Sequence, residues 1–191
     1  MDPSLYARLR AIADELPVTP PVWAVEIGAE GIVMMMSPVK RHELITFRLG
    51  RQLNDQLART RPGVIAHSGP EIESVPLGRM RRPDLVVLPE AVLEEEDAFV
   101  DPADVLLVAE VVSASNPDND YTQKTRDYPA MGIPLYLIVD PRTGTLSVLS
   151  DPGPGPGPDG QPRYRARHDH VFGDHVPVGP WTVDTTGFLT Y

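Results

Sequence analysis

Apolar positions recur along the chain with two periods, and each change of period marks an element. Leu5, Leu9, Ile12, Ala13 and Leu16 follow helical spacing and predict a helix over residues 4–16, ended by Pro17, Pro20 and Pro21. Two short strands are expected at Trp23–Ile27 and Ile32–Met36, around a turn at Gly28–Gly31, with Met34–Met36 as core filling. Ile45, Leu49, Leu53 and Leu57 form a stripe at four-residue spacing, which predicts a long helix over Val39–Arg59. Arg41, Arg48 and Arg59 fall to one side of that stripe. Gly63–Ser68 and Glu71–Val75 are further strand candidates.

The middle of the chain breaks its own pattern. Leu85–Leu88 and Val105–Ala109 are Val/Leu runs bounded by Pro, Asp and Ser, and read as buried strands over 84–88 and 105–112. Each carries a carboxylate: Asp84 opens the first and Glu110 interrupts the second. An ionised carboxylate removed from water costs several kcal/mol unless it is paired or binds a metal. Asp104 lies at the mouth of its strand and can stay in water. A helix near 118–131 follows, started by Asn116-Pro117, Asp118 or Asp120 and stopped by Gly132 and Pro134. Asp120, Lys124 and Tyr128 share one face of it.

A third strand, 135–139, ends at Asp140-Pro141. The order strand, strand, helix, strand predicts an α/β domain with a central mixed sheet flanked by helices. A C-terminal β-hairpin is added, Thr145–Ser150 with Arg163–Phe172. Its PGPGPGP tip cannot join a ladder regularly and is expected to be a mobile loop over 151–161. Gly179–Tyr191 is expected to close the sheet.

The 191 residues suit a single domain, with 1–20 as N-terminal helix and linker ahead of 21–191. There is no cysteine, hence no disulfide and no thiolate metal site. The start lacks the apolar core of a signal peptide, and no stretch approaches the roughly 18 apolar residues of a membrane span, so a cytoplasmic protein is the default. The net charge of −10 argues against strong non-specific binding of nucleic acid, which is chiefly electrostatic. It leaves room for a nuclease whose metal and local basic residues reverse the field at one face.

The strings RRPDLVVL, VAEVVSAS, YTQKTRDY, GIPLYLIVDP and MMMSP followed by His42 resemble the Uma-two family of proposed restriction endonuclease domains, within the PD-(D/E)xK nuclease superfamily. The resemblance spans about Val25 to Phe188. It implies a restriction-endonuclease-like core, endonuclease activity on nucleic acid, DNA foremost, and a homodimer. It also implies a lysine two residues after Glu110, but that position is Val112; the resemblance places the lysine on the following helix, at Lys124. It raises His42 as a site residue and Glu43 as a metal-shell candidate.

The chemistry open to these residues follows. Asp84 and Glu110 on neighbouring strands need a divalent ion to offset their repulsion, and oxygen ligands with open water positions favour Mg²⁺ or Mn²⁺, with the carbonyl of Val111 as a further ligand. Lys124 would orient a metal-bound water or neutralise charge developing on a phosphate; alternatively it forms a partly buried pair with Glu110. Of 17 basic residues only Lys40 and Lys124 are lysines, a mild sign that a compact ammonium suits position 124. His42 is either a hydrogen-bonded core histidine or a group in the site, and Tyr128 either a packed aromatic or a site residue. Arg79, Arg81 and Arg82 either lie in a solvated loop or contact phosphate at the mouth of the site. Glu94–Asp97 reads as solvated surface, and His168 and His170 as exposed strand histidines. Two functions result: a metal-dependent endonuclease, or a nuclease-fold binding or assembly module that no longer cuts.

Overall fold

A computed structural model describes residues 1–114, 116–155 and 160–191. The chain opens with α1 (Pro3–Glu15), capped by Asp2, whose carboxylate accepts from the N–H of Ser4 and Leu5. Strands β1 (Val22–Gly28) and β2 (Gly31–Met36) form an antiparallel hairpin. Helix α2 (Lys40–Thr60) buries the predicted Ile45–Leu49–Leu53–Leu57 stripe. Then come β3 (Val64–His67), β4 (Ile72–Ser74), β5 (Arg79–Arg81) and β6 (Leu85–Pro89). The arginine-rich segment expected as a loop is therefore a strand, because Met80 pairs with Ile27 of β1 and Arg79 and Arg81 pair with β4. Next are β7 (Leu107–Val111), a π-helical turn (Asn119–Gln123) running into α3 (Lys124–Ala130), and β8 (Leu135–Asp140). Gly132 adopts φ +78°, which gives the predicted helix stop its reason.

Two sheets result. The smaller is ordered β2-β1-β5-β4. With β9 (Thr145–Pro154) and β10 (Pro162–Val171), the larger is ordered β10-β9-β8-β7-β6-β3. It is mixed: β7 and β8 are parallel and the other pairs antiparallel. The expected mobile loop is only partly a loop. The ladder continues through Pro152↔Tyr164 to Pro154↔Pro162, since prolines on a hairpin's outer reach need not donate. Residues 156–159 of that loop lie outside the described residues. The C-terminal segment does not close the sheet as expected: β11 (His175–Val178) and β12 (Trp181–Asp184) pair only with each other. They lie on α2, where Gln52 and Gln56 side chains bond the backbone of Asp184 and Thr182 and take the place of a neighbouring strand.

Strand alternation sorts the larger sheet into two buried faces. Leu85, Val87, Leu107, Ala109, Leu137 and Val139 pack on α2 and on Val176, Val178, Trp181 and Val183. Val86, Val108, Val112, Tyr136 and Ile138 pack on Tyr128, Met131 and Ile133. Burial on both sides is why these strands read as unbroken apolar runs. Met34 and Met36 are not core filling as expected: each is 48% exposed, because β2 is an edge strand with no layer over those positions.

Candidate functional site

The interruptions of the apolar runs converge at the end of β6 and β7. Leu85 pairs with Ala109, so one further step of the antiparallel register sets Asp84 against Glu110. Both line one cavity of about 700 Å³. Asp84 is anchored on two sides. The Val111 N–H donates to Oδ2 at 2.7 Å, and His42 Nε2 on α2 lies 3.0 Å from the same oxygen. Burial pushes the His42 imidazole down, but the bond to Asp84 outweighs it and holds the pKa above the ordinary value.

Glu110 is 2% exposed. Its Oε1 accepts a short hydrogen bond from the Tyr128 hydroxyl and lies 2.8 Å from Lys124 Nζ. The same ammonium is 3.2 Å from Asp120 and 3.5 Å from Glu26. Burial alone would push the Lys124 pKa down; the carboxylates of Glu110, Glu26 and Asp120 outweigh it and keep the ammonium charged. Glu110 sits well above the usual carboxylate range, first from burial, with Lys124 pulling it down and Asp84, Asp120 and Glu26 pushing it up. Asp120 is pushed up to about 6, chiefly by burial. The π-turn sets this register. It widens the helix at Asp120, whose carbonyl accepts from the Tyr136 hydroxyl, one turn before Lys124.

Beneath the cavity a charged lattice ties β1, β5 and the helix together. Arg81, fully buried, donates to Glu26 at 2.9 Å, to Asn119 at 3.1 Å and through two nitrogens to Asp127 at 2.5 and 3.0 Å. Arg79 donates to the other Asp127 oxygen at 2.7 Å. Glu26 also accepts from the Arg82 N–H and from Asn119. Burial raises the Glu26 carboxyl, but Lys124, Arg81 and these donors bring it below the usual range. Gly28 is needed here, since a Cβ would stand 2.6 Å from Arg81 Nη2.

The expected residues thus divide. Asp84, Glu110, Val111, His42 and Glu43 line the cavity; Lys124 and Tyr128 hold Glu110 from behind. Val111, expected through its carbonyl, also contributes its N–H to Asp84. The three arginines, read either as a solvated loop or as phosphate contacts at the mouth, do not act together. Arg79 and Arg81 turn inward to Asp127, and Arg81 to Glu26 as well, while Arg82 alone of the three lines the cavity. The arginines beside the α2 stripe bind the C-terminus instead, Arg41 to the Thr190 carbonyl and Arg48 to that of Gly187. Glu26 and Asp120 were missed as site residues. The signal was present for both: Glu26 interrupts an apolar strand as Glu110 does, and Asp120 stands four residues before Lys124.

Among the described residues no three His, Asp or Glu side chains form a ready-made cation cage. The donor chemistry nevertheless fits a hard divalent ion. Asp84 keeps 24% side-chain exposure toward the cavity, and the crowded carboxylates that raise Glu110 are relieved by added positive charge. No helix among the described residues is long and apolar enough to cross a membrane.

A mixed sheet flanked by helices, with acidic strand ends at one cavity, is a nuclease-like architecture. The fold is similar to the crystal structure, at 1.96 Å resolution, of "a putative nuclease belonging to DUF820" from Anabaena variabilis, with a TM-score of 0.68 and 16% identity over 94% of this chain and 96% of that one. No curated protein matches the chain. The family model described as "Putative restriction endonuclease" matches residues 9–168, and the chain belongs to this family, Uma2.

Proposed function

We propose that this chain is a metal-dependent endonuclease that hydrolyses phosphodiester bonds of nucleic acid, DNA in the first place, as a cytoplasmic homodimer whose whole length folds as one domain. The observation that carries it is the single buried lysine set 2.8 Å from Glu110 behind a cavity that Asp84 shares. Asp84 and Glu110, with the Val111 carbonyl, would hold Mg²⁺ or Mn²⁺, with Glu43 at the rim. Such an ion supplies a polarised phosphodiester and a water of lowered pKa. The remaining work belongs to the chain. His42 and the Val111 N–H orient Asp84, Tyr128 orients Glu110, and three carboxylates fix the Lys124 ammonium. A fixed charge of this kind stabilises developing negative charge without reorganising during the reaction.

One observation favours the module that no longer cuts: the ammonium has no exposed surface and is enclosed by Glu26, Glu110 and Asp120. Cleavage of mixed DNA and RNA substrates with Mg²⁺ or Mn²⁺ separates the two. The endonuclease reading requires cutting by the wild type and none by Asp84→Ala or Lys124→Ala, with metal affinity largely kept in the latter. A Lys124→Ala protein with unchanged turnover sinks the role of the lysine. Light scattering tests the dimer, since a mass near the 21.0 kDa of one chain excludes it.

A further inference from the structure

Resting on the endonuclease reading, we propose that the strand enters unpaired, with its bases stacked in the cavity against both Trp23 and Phe47. Isolated exposed apolar residues need no explanation, but these converge. Trp23 is 50% exposed, Phe47 63%, and Met34 and Met36 48% each, and all four line the cavity that holds Asp84 and Glu110. Trp23 comes from β1 and Phe47 from α2, so the aromatic surface is supplied by two elements. Its volume of about 700 Å³ falls within the span of small-ligand sites, roughly 300–1,000 Å³.

Each ring carries a guanidinium. Arg82 Cζ lies 5.8 Å from the Trp23 ring centroid, and Arg51 Cζ 6.0 Å from that of Phe47. With a guanidinium over one face, each half-exposed ring has its remaining exposed surface for a base, and the cation meets a flanking phosphate. A second depression shares Thr46, Phe47 and Ser68 with the cavity and reaches Arg51, so a strand that leaves the carboxylates past Phe47 has a surface to follow. Net charge decides between occupants. At −10 the protein gains little from phosphates alone, which are the main sequence-independent attraction of a duplex. An unpaired strand adds roughly 5- to 150-fold in affinity for each stacked base.

Tryptophan emission reads this directly. Trp23 and Trp181 are the only tryptophans, and Trp181 is 3% exposed, so a change on binding reports Trp23. The full chain is titrated, with Ca²⁺ in place of Mg²⁺, against a short oligothymidylate and against a blunt duplex of equal length. The expected result is quenching by the oligothymidylate and weaker duplex binding. Phe47→Ala should lower single-strand affinity roughly 5- to 150-fold, and Trp23→Phe should keep affinity while removing the signal. Both side chains are exposed, so the variants fold. Equal affinity for duplex and single strand, or unchanged affinity in Phe47→Ala, overturns the proposal. So does a Phe47→Ala change from dimer to monomer, which would make a second copy of the chain the occupant. Duplex cleavage in Mg²⁺ without quenching overturns the stacking seat and keeps the endonuclease; quenching without cleavage of any substrate does the reverse.

Discussion

The two faces of the six-stranded sheet are equally shielded from water and assembled by opposite rules. Toward α2 the packed cluster is Leu, Val, Ile, Ala, Phe and Trp, and the one polar side chain that α2 buries is His42, at the cavity end. Toward the helix that carries Lys124, the apolar packing of Tyr128 and Tyr136 gives way to Glu26, Arg81, Glu110, Asp120, Lys124 and Asp127, each 4% exposed or less. The first arrangement needs only apolar side chains of suitable volume. The second is expensive, because buried ions lose hydration that their pairing only partly restores, and apolar replacements of such lattices are often neutral or stabilising. Of these six ionisable groups, Glu110 and Asp120 line the cavity, and Glu26, Arg81, Lys124 and Asp127 form the paired layer behind them.

Mutations sharpen this contrast. Arg81→Ala should have the largest effect, about 3–5 kcal/mol, because it leaves Glu26 and Asp127 buried without their main partner. The chemical-denaturation midpoint measures it, and a loss below about 1 kcal/mol would show that water or rearrangement satisfies the lattice. Leu53→Ala, in the apolar face and fully buried, should cost about 2–5 kcal/mol through lost transfer energy and a cavity. Unlike the charged-face variants, it should do so with little dependence on pH.

Lys124→Met should give a loss that depends on pH. Without the ammonium, which pulls both carboxyls down, Glu110 and Asp120 rise further above pKa values already raised over their unfolded ones. Such carboxylates support the fold fully below their unfolded pKa and lose that contribution as pH rises through the folded value. Both proteins lose this contribution alike up to the wild-type Asp120 value of about 6, so thermal unfolding of the variant should fall further behind the wild type above about pH 6; a gap that stays constant as pH rises past 6 would contradict this sign. Asp120→Asn isolates a smaller part of the effect. Stability of the wild type relative to this variant should decline between the ordinary 3.8 and about 6, the Asp120 range, and change little above it. The smallest effect is expected at the exposed Arg165–Asp151 pair, 55% exposed on each side, where Arg165→Ala should stay within about 1 kcal/mol.

Local and periodic features of the chain were sufficient for most elements. The α2 stripe, the β1–β2 hairpin, the buried strands β6, β7 and β8 and the stop at Gly132 are each set by residues within a turn or a strand of one another. Asp84 and Glu110 were legible for the same reason: a charge inside an apolar run is visible without knowing what lies opposite. Lys124 could be singled out by its rarity and its helix face.

Partners distant in sequence were not legible. Arg81 meets Glu26, 55 residues away, and Asp127, 46 away. Nothing in the GRMRRPD string distinguishes an arginine aimed at phosphate from one aimed at a buried carboxylate. Only the pairing of β5 with β1 turns it inward. The π-turn at Asn119–Gln123 likewise depends on Tyr136 reaching the Asp120 carbonyl from a neighbouring strand. The placement of β11 and β12 depends on glutamines of α2 more than a hundred residues earlier. Periodicity records which side of an element faces the interior. Which charge that interior supplies is decided by chain closure over long separations, and only the tertiary structure makes that choice.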